Sequence, residues 1–471
     1  IVAVANGSSF IFDKTDYIGA VNPDVNAADR NWHEGWTLPG TLAPVPEALD
    51  RTNLPSFVNC TDALCTISGN VNSDFTLTSD VQWAIQGLVI VGNGNIFLDS
   101  AEAIDAVQKV TLTIKPGVSV GAFDDATLLV TRGSKLMAKG TRTQPITFSS
   151  AKDPDFDGNG EWGGIVIQGF GPVYTPSGLC SANGSFCNPA GEGFGDDNYY
   201  YGGTNPADNS GVLTYVRIAE GGKSTAANSE INGLTLMGVG YKTQLEYIQV
   251  HGNLDDGIEW FGGTVNAKYL VLTNNDDDDI DFDEGYQGNI QYALVQKDPN
   301  KLAPTGSNDP RGIELNSSDE DYTPETAGVI ANVTIIGGDA ANSAGEFGMR
   351  LRGSVTAAIH NSAVTGYDVT CARIDDSDHD NDRATAKIDT PITLRNFLCD
   401  TAGTAFNKEE PISTDSVILE AVVLDANKAI TNASASVTAE AITAQDNGSS
   451  FVFDSTDYIG AVKAGETPWY S

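Results

Sequence analysis

The chain has 471 residues, and its 26 lysines and arginines stand against 63 aspartates and glutamates for a formal net charge of −37. A field of that sign repels nucleic acid and anionic lipid, which excludes both as direct partners unless cations intervene. Fifty glycines, short β-branched apolar runs and no sustained helical periodicity point to an all-β repeat architecture, and the absence of an 18-residue apolar run leaves no expected membrane span.

The first element is NGSSFIFDKTDYIGAV at 6–21, which returns as NGSSFVFDSTDYIGAV at 447–462. Fourteen of the sixteen paired positions are identical, and the changes are Ile11 for Val452 and Lys14 for Ser455. Phe10 and Phe12 alternate with Ser9, Ile11 and Asp13, the period-2 pattern of a strand with one aromatic face. Such a strand can add to an exposed sheet edge, which makes Phe10, Phe12, Tyr17, Phe451, Phe453, Tyr458 and Trp469 candidate interface residues. The chain divides on this basis into an N-terminal arm and linker (1–59), a coil body (60–440) and a C-terminal arm (441–471).

Six cysteines fall at short spacings as Cys60 with Cys65, Cys180 with Cys187 and Cys371 with Cys399. An even count so arranged predicts three local disulfides and an oxidising compartment. With no basic n-region at its start, the chain reads as a mature secreted protein, extracellular or at a cell surface.

DPDFDGNGEW supplies Asp153, Asp155 and Asp157 at alternate positions with Gly158 at the turn, the first half of an EF-hand-like loop, but Gly164 stands where the bidentate Glu would be. Further on, LEYIQVHGNLDDGIEWFGGTVNA (245–267) slides by 22 residues onto YLVLTNNDDDDIDFDEGYQGNIQ, setting Tyr247 on Tyr269, Ile258 on Ile280, Glu259 on Asp281 and Gly263 on Gly285. A period of this length built from short strands and Gly or Asn turns means a solenoid, here a right-handed parallel β-helix. The second repeat crowds seven acids into 276–284, a repulsion that a hard cation relieves. Asp278 and Asp281 are therefore candidate calcium ligands, as are Asp376, Asp378 and Asp380 in IDDSDHDND. The alternative is that these are plain solvated acidic turns. Asn332, Asn361 and Asn396 each sit just before or within an apolar strand and are candidates for an axial amide stack, or else ordinary turn residues.

The segments TLTIKPGVSV, EWGGIVIQG, DDGIEWFGG, DDDDIDFDEGYQGNIQ and GMRLRGSV, with the closing YIGA and tryptophan, resemble a broad group of secreted bacterial right-handed β-helix proteins. The resemblance covers about residues 105–471; it implies the fold and says little about activity.

Two functional expectations follow. The first is a secreted structural protein that self-assembles head to tail, through its duplicated arms, into a filament or surface layer of copies of itself. The second is a calcium-dependent polysaccharide-binding protein or polysaccharide lyase. A lyase would take paired acids from Asp255, Asp256 and Glu259 or from Asp278, Asp279 and Asp281, and a basic residue from Arg350 and Arg352. None of the four histidines lies in a recognisable catalytic motif, and the net charge opposes a polyanionic substrate, so the sequence favours the structural expectation.

Overall fold

The computed structural model describes residues 48–471 apart from 99–100, 125, 154, 175–187, 195–198, 224–230, 300–309, 318–321, 339–346, 354, 375–391, 402 and 409–411. Phe10, Phe12 and Tyr17, the pair Cys180 and Cys187, and Asp376, Asp378 and Asp380 lie outside the described residues.

Among the described residues, 26 strands from Val58–Cys60 to Ile412–Leu419 join in one continuous sheet. Val58–Cys60 and Leu64–Val71 form an antiparallel hairpin closed by the Cys60–Cys65 disulfide. The pairings that follow are parallel, each strand lying on its counterpart in the next coil. This is a right-handed parallel β-helix, since parallel strands in one sheet connect by right-handed crossovers.

Each central coil has one short strand and one long, bent strand. The long strand Gly211–Ala219 pairs through its first half with Lys135–Lys139 and through its second with Ile146–Ser150. The bend between the halves is Tyr215, whose φ is 52°. The same register position in later coils is filled by Tyr247, Tyr269, Tyr292, Asn332, Asn361 and Asn396, all with φ between 48° and 65°. A left-handed residue breaks strict alternation, so Glu246 and Tyr247 both face outward while Leu245 and Ile248 point into the core.

The core is a set of apolar ladders. Leu128, Ile165, Leu234, Ile258, Ile280, Ile313, Met349 and Ala372 occupy one register of the short-strand sheet, and all are buried. In the WGGI motif Trp162 is fully buried and donates its indole N–H to the Ala219 carbonyl at 2.7 Å. A Cβ on Gly163 would lie 2.1 Å from Thr127 Oγ1, so only glycine lets this turn approach the neighbouring coil. Cys371 and Cys399, 28 residues apart, are joined by the second disulfide.

The C-terminal arm departs from expectation. Residues 441–471 carry no strand and do not extend a coil edge; they lie along the flank of their own solenoid. The reason is that outward amide side chains replace the edge of a strand. Gln291 donates to the Asp454 carbonyl at 2.9 Å and accepts the Asp454 N–H at 2.8 Å. Asn289 accepts the Gln445 N–H at 2.7 Å, and Asn332 donates to the carbonyls of Tyr458 and Gly460 at 3.3 and 3.2 Å. The aromatic alternation is real: Phe453 is buried against Val329 and Ala331, while Val452 points to solvent. Trp469 packs beside Ala461 and Val462 and donates to the Ala461 carbonyl at 2.9 Å.

Candidate functional site

The outward positions of the short-strand sheet change character along the axis. At one register stand, in order, Thr235, Glu259, Asp281, Glu314, Arg350 and Arg373. Parallel strands are about 4.8 Å apart, so stacking in register forces like charges together and then brings opposite charges to meet them. Arg352 pairs with Glu314 at 2.5 Å, and Arg311 bonds Asp278 at 3.3 Å and also Glu314.

The turns that feed these strands add more acids. Asp256 Oδ1 accepts the Asp278 N–H at 2.8 Å, and Asp278 Oδ1 accepts the Arg311 N–H at 2.7 Å. Each carboxylate thus ties its coil to the next through one oxygen. Two carboxylate groups result among the described residues, Asp255 with Asp256 and Asp277, and Asp256 with Glu259 and Asp281; within each, one oxygen per residue lies within 4.8 Å of the others. Two oxygens on one calcium at about 2.4 Å can be no farther apart than that, so these clusters could hold a metal ion. Asp281 Oδ1 is buried without a hydrogen-bond partner, which fits an additional ligand there.

Electrostatics favour the same conclusion. Burial, and then the adjacent Asp255, holds Asp256 well above the usual carboxylate range; burial and Glu192 do the same to Glu259, and burial and Glu314 to Asp281. Glu284 is pushed up to about 8 by burial and the neighbouring Asp283 charge. Lys297, itself buried, lies 2.7 Å from Asp279. A cation between the carboxylates would lower the Asp256, Glu259 and Asp281 values together.

The other predicted ligands are placed differently. Asp153, Asp155 and Asp157 are exposed on a turn, where Asp155 raises the Asp157 carboxyl through a hydrogen bond and its charge. Asn159 from the same loop donates to Asp276 at 2.9 Å, joining the two acidic segments. Asp278 is engaged by Arg311, whereas Asp281 belongs to a carboxylate group. Glu259 was within reach of sequence reasoning, because the 22-residue slide aligns it with Asp281. Glu314 and Arg311 were not, because the coil carrying them is 33 residues from the last and its loop hides the repeat.

A second surface feature is an aromatic groove of about 140 Å³ on the long-strand faces, lined by Tyr215, Tyr247, Tyr269, Arg217, Trp469 and Arg142. Its tyrosine rings stack at 4.4 Å between Tyr215 and Tyr247 and again between Tyr247 and Tyr269.

Neither the curated proteins nor the solved structures compared with the chain give a match. One family model does match, that of the pectate-lyase-like β-helix domain, over residues 69–450. The match spans most of the stacked parallel coils, and the chain belongs to the pectate-lyase-like β-helix domain family.

Proposed function

We propose that this chain is an extracellular protein that binds an acidic polysaccharide through a divalent cation, calcium by donor type, held at Asp256, Glu259 and Asp281. The observation that carries this reading is the convergence of their oxygens within 4.8 Å beside a row of arginines on the same sheet face. Hard carboxylate oxygens suit calcium, and the nearby Arg350 and Arg373 suit a uronate carboxylate. A bridging cation also reconciles the net charge of −37 with a polyanionic partner. The two disulfides and the lack of any helix long and apolar enough to cross a membrane, among the described residues, are compatible with an extracellular setting. The family's name supports the substrate class and leaves cleavage open.

The test is binding of polygalacturonate by the full chain in calcium and in chelator, with Asp256→Asn as the variant. Asparagine can still accept the Asp278 N–H, so the coil contact survives while a charge is lost. Binding is expected in calcium, with at least a tenfold loss in chelator and in Asp256→Asn. Equal binding in chelator, or no binding under either condition, ends the proposal. Appearance of unsaturated, ultraviolet-absorbing sugar ends would make the protein a lyase.

A further inference from the structure

The surface under residues 447–462 is a specific receptor. Asn447 donates to the Thr264 carbonyl at 2.8 Å, and Thr334 Oγ1 accepts the Ala461 N–H at 2.8 Å. Between them Thr456 inserts into the asparagine ladder, donating to Asn332 Oδ1 at 3.1 Å and accepting from Asn361 Nδ2 at 3.1 Å. Below these polar contacts Phe453 meets Val329 and Ala331, and Ile459 meets Leu398 and Ile430.

The N-terminal copy carries the same residue at every position that is buried in this contact. Asn6, Phe12, Thr15 and Ile18 correspond to Asn447, Phe453, Thr456 and Ile459. The two positions that differ face solvent in the docked copy: Val452 is 72% exposed, and Ser455 is also exposed. The receptor therefore reads only what the two segments share.

We infer that this groove is a docking site for residues 6–21 of a second copy of the chain, and that residues 447–462 are its intramolecular competitor. Because the contacts are equivalent, exchange gains no contact energy. A tethered segment acts at an effective concentration on the order of millimolar, so the intact chain stays closed at micromolar concentration. Weakening the C-terminal copy alone shifts the balance to the segment of another copy. One groove and one donor segment per chain make a heterologous contact, which continues from copy to copy unless the geometry closes a ring.

The experiment uses the full chain with Phe453→Ala, which keeps both the groove and the N-terminal copy. Loss of a buried aromatic weakens the closed contact by about a hundredfold, which moves the exchange point to on the order of 10 µM. Sedimentation at several times that concentration should show multimers, with the unaltered chain monomeric and the double variant Phe12→Ala/Phe453→Ala monomeric. A synthetic peptide of residues 6–21 should bind Phe453→Ala at least tenfold more tightly than the unaltered chain and should dissolve its multimers. A folded Phe453→Ala chain that stays monomeric, including one whose groove takes its own N-terminal segment, overturns the inference; so do multimers that persist in the double variant. If circular dichroism shows Phe453→Ala unfolded, Asn447→Ala, which leaves the apolar contacts in place, is read by the same outcomes.

Discussion

At the scale of single residues, the recurring device is an outward amide or carboxylate that serves the backbone of another segment. Gln291 is the clearest case, since its one amide satisfies both the N–H and the carbonyl of Asp454 as a strand neighbour would. Gln291→Leu keeps the volume and leaves the Asp454 N–H without its acceptor, a cost of about 1–3 kcal/mol. Hydrogen exchange at Asp454 should rise in the variant while the coil amides keep their protection. Unchanged exchange at Asp454 would mean that apolar contacts alone seat the arm. The asparagines follow the same logic: of the axial stack expected from their spacing, Asn396 donates directly to Asn361 Oδ1 at 2.8 Å, while Thr456 bridges Asn361 to Asn332.

At the scale of the element, the bent strand is the unit, and its left-handed hinge residue sets the angle between two faces. Asparagine tolerates positive φ, but tyrosine does not favour it, at a cost of about 1–2 kcal/mol each. Ring stacking offsets part of this: Tyr215, Tyr247, Tyr269 and Tyr292 stack at 4.4, 4.4 and 5.0 Å, each contact contributing about 0.5–1.5 kcal/mol. Asn361, at φ 48°, separates backbone from side-chain effects. Asn361→Gly should lose only its hydrogen bonds to Asn396 and Thr456, about 1–2 kcal/mol. Asn361→Val adds a β-branched side chain in a region it disfavours and should lose roughly 1–3 kcal/mol more. Denaturant unfolding of both variants measures the difference; equal losses would show that the hinge conformation carries no strain.

At the scale of the whole molecule, the clustered carboxyls link stability to pH and to calcium. Asp256, Glu259, Asp281 and Glu284 all have folded-state values raised above the unfolded ones. Their folded forms hold protons that the unfolded chain has released, so in chelator stability is greatest below the unfolded carboxyl range and falls as pH rises through the folded values, toward about 8 for Glu284. The midpoint of thermal unfolding should drop by a few degrees from pH 5 to pH 8 in chelator. Calcium at a hundred times its dissociation constant should restore about 2.7 kcal/mol and flatten the profile. A profile that is flat in chelator would remove the cluster from the stability of the fold.

The sequence by itself determined the architecture. The 22-residue slide of Ile258 onto Ile280 and of Glu259 onto Asp281 is the strand register itself, because stacked coils of equal length must align equivalent residues. It also determined the Cys60–Cys65 and Cys371–Cys399 pairs, which short spacing on neighbouring turns brings together. Tertiary structure alone decided which acids converge, since loops of unequal length between coils put Glu314 under Asp281 at a separation the repeat does not show. It decided that the repeated aromatic segment lies on its own solenoid rather than along a coil edge, because its partners, Thr264, Asn289, Asn332 and Asn361, come from successive coils. Local pattern fixes each coil, but contacts that run along the axis exist only once the coils are stacked.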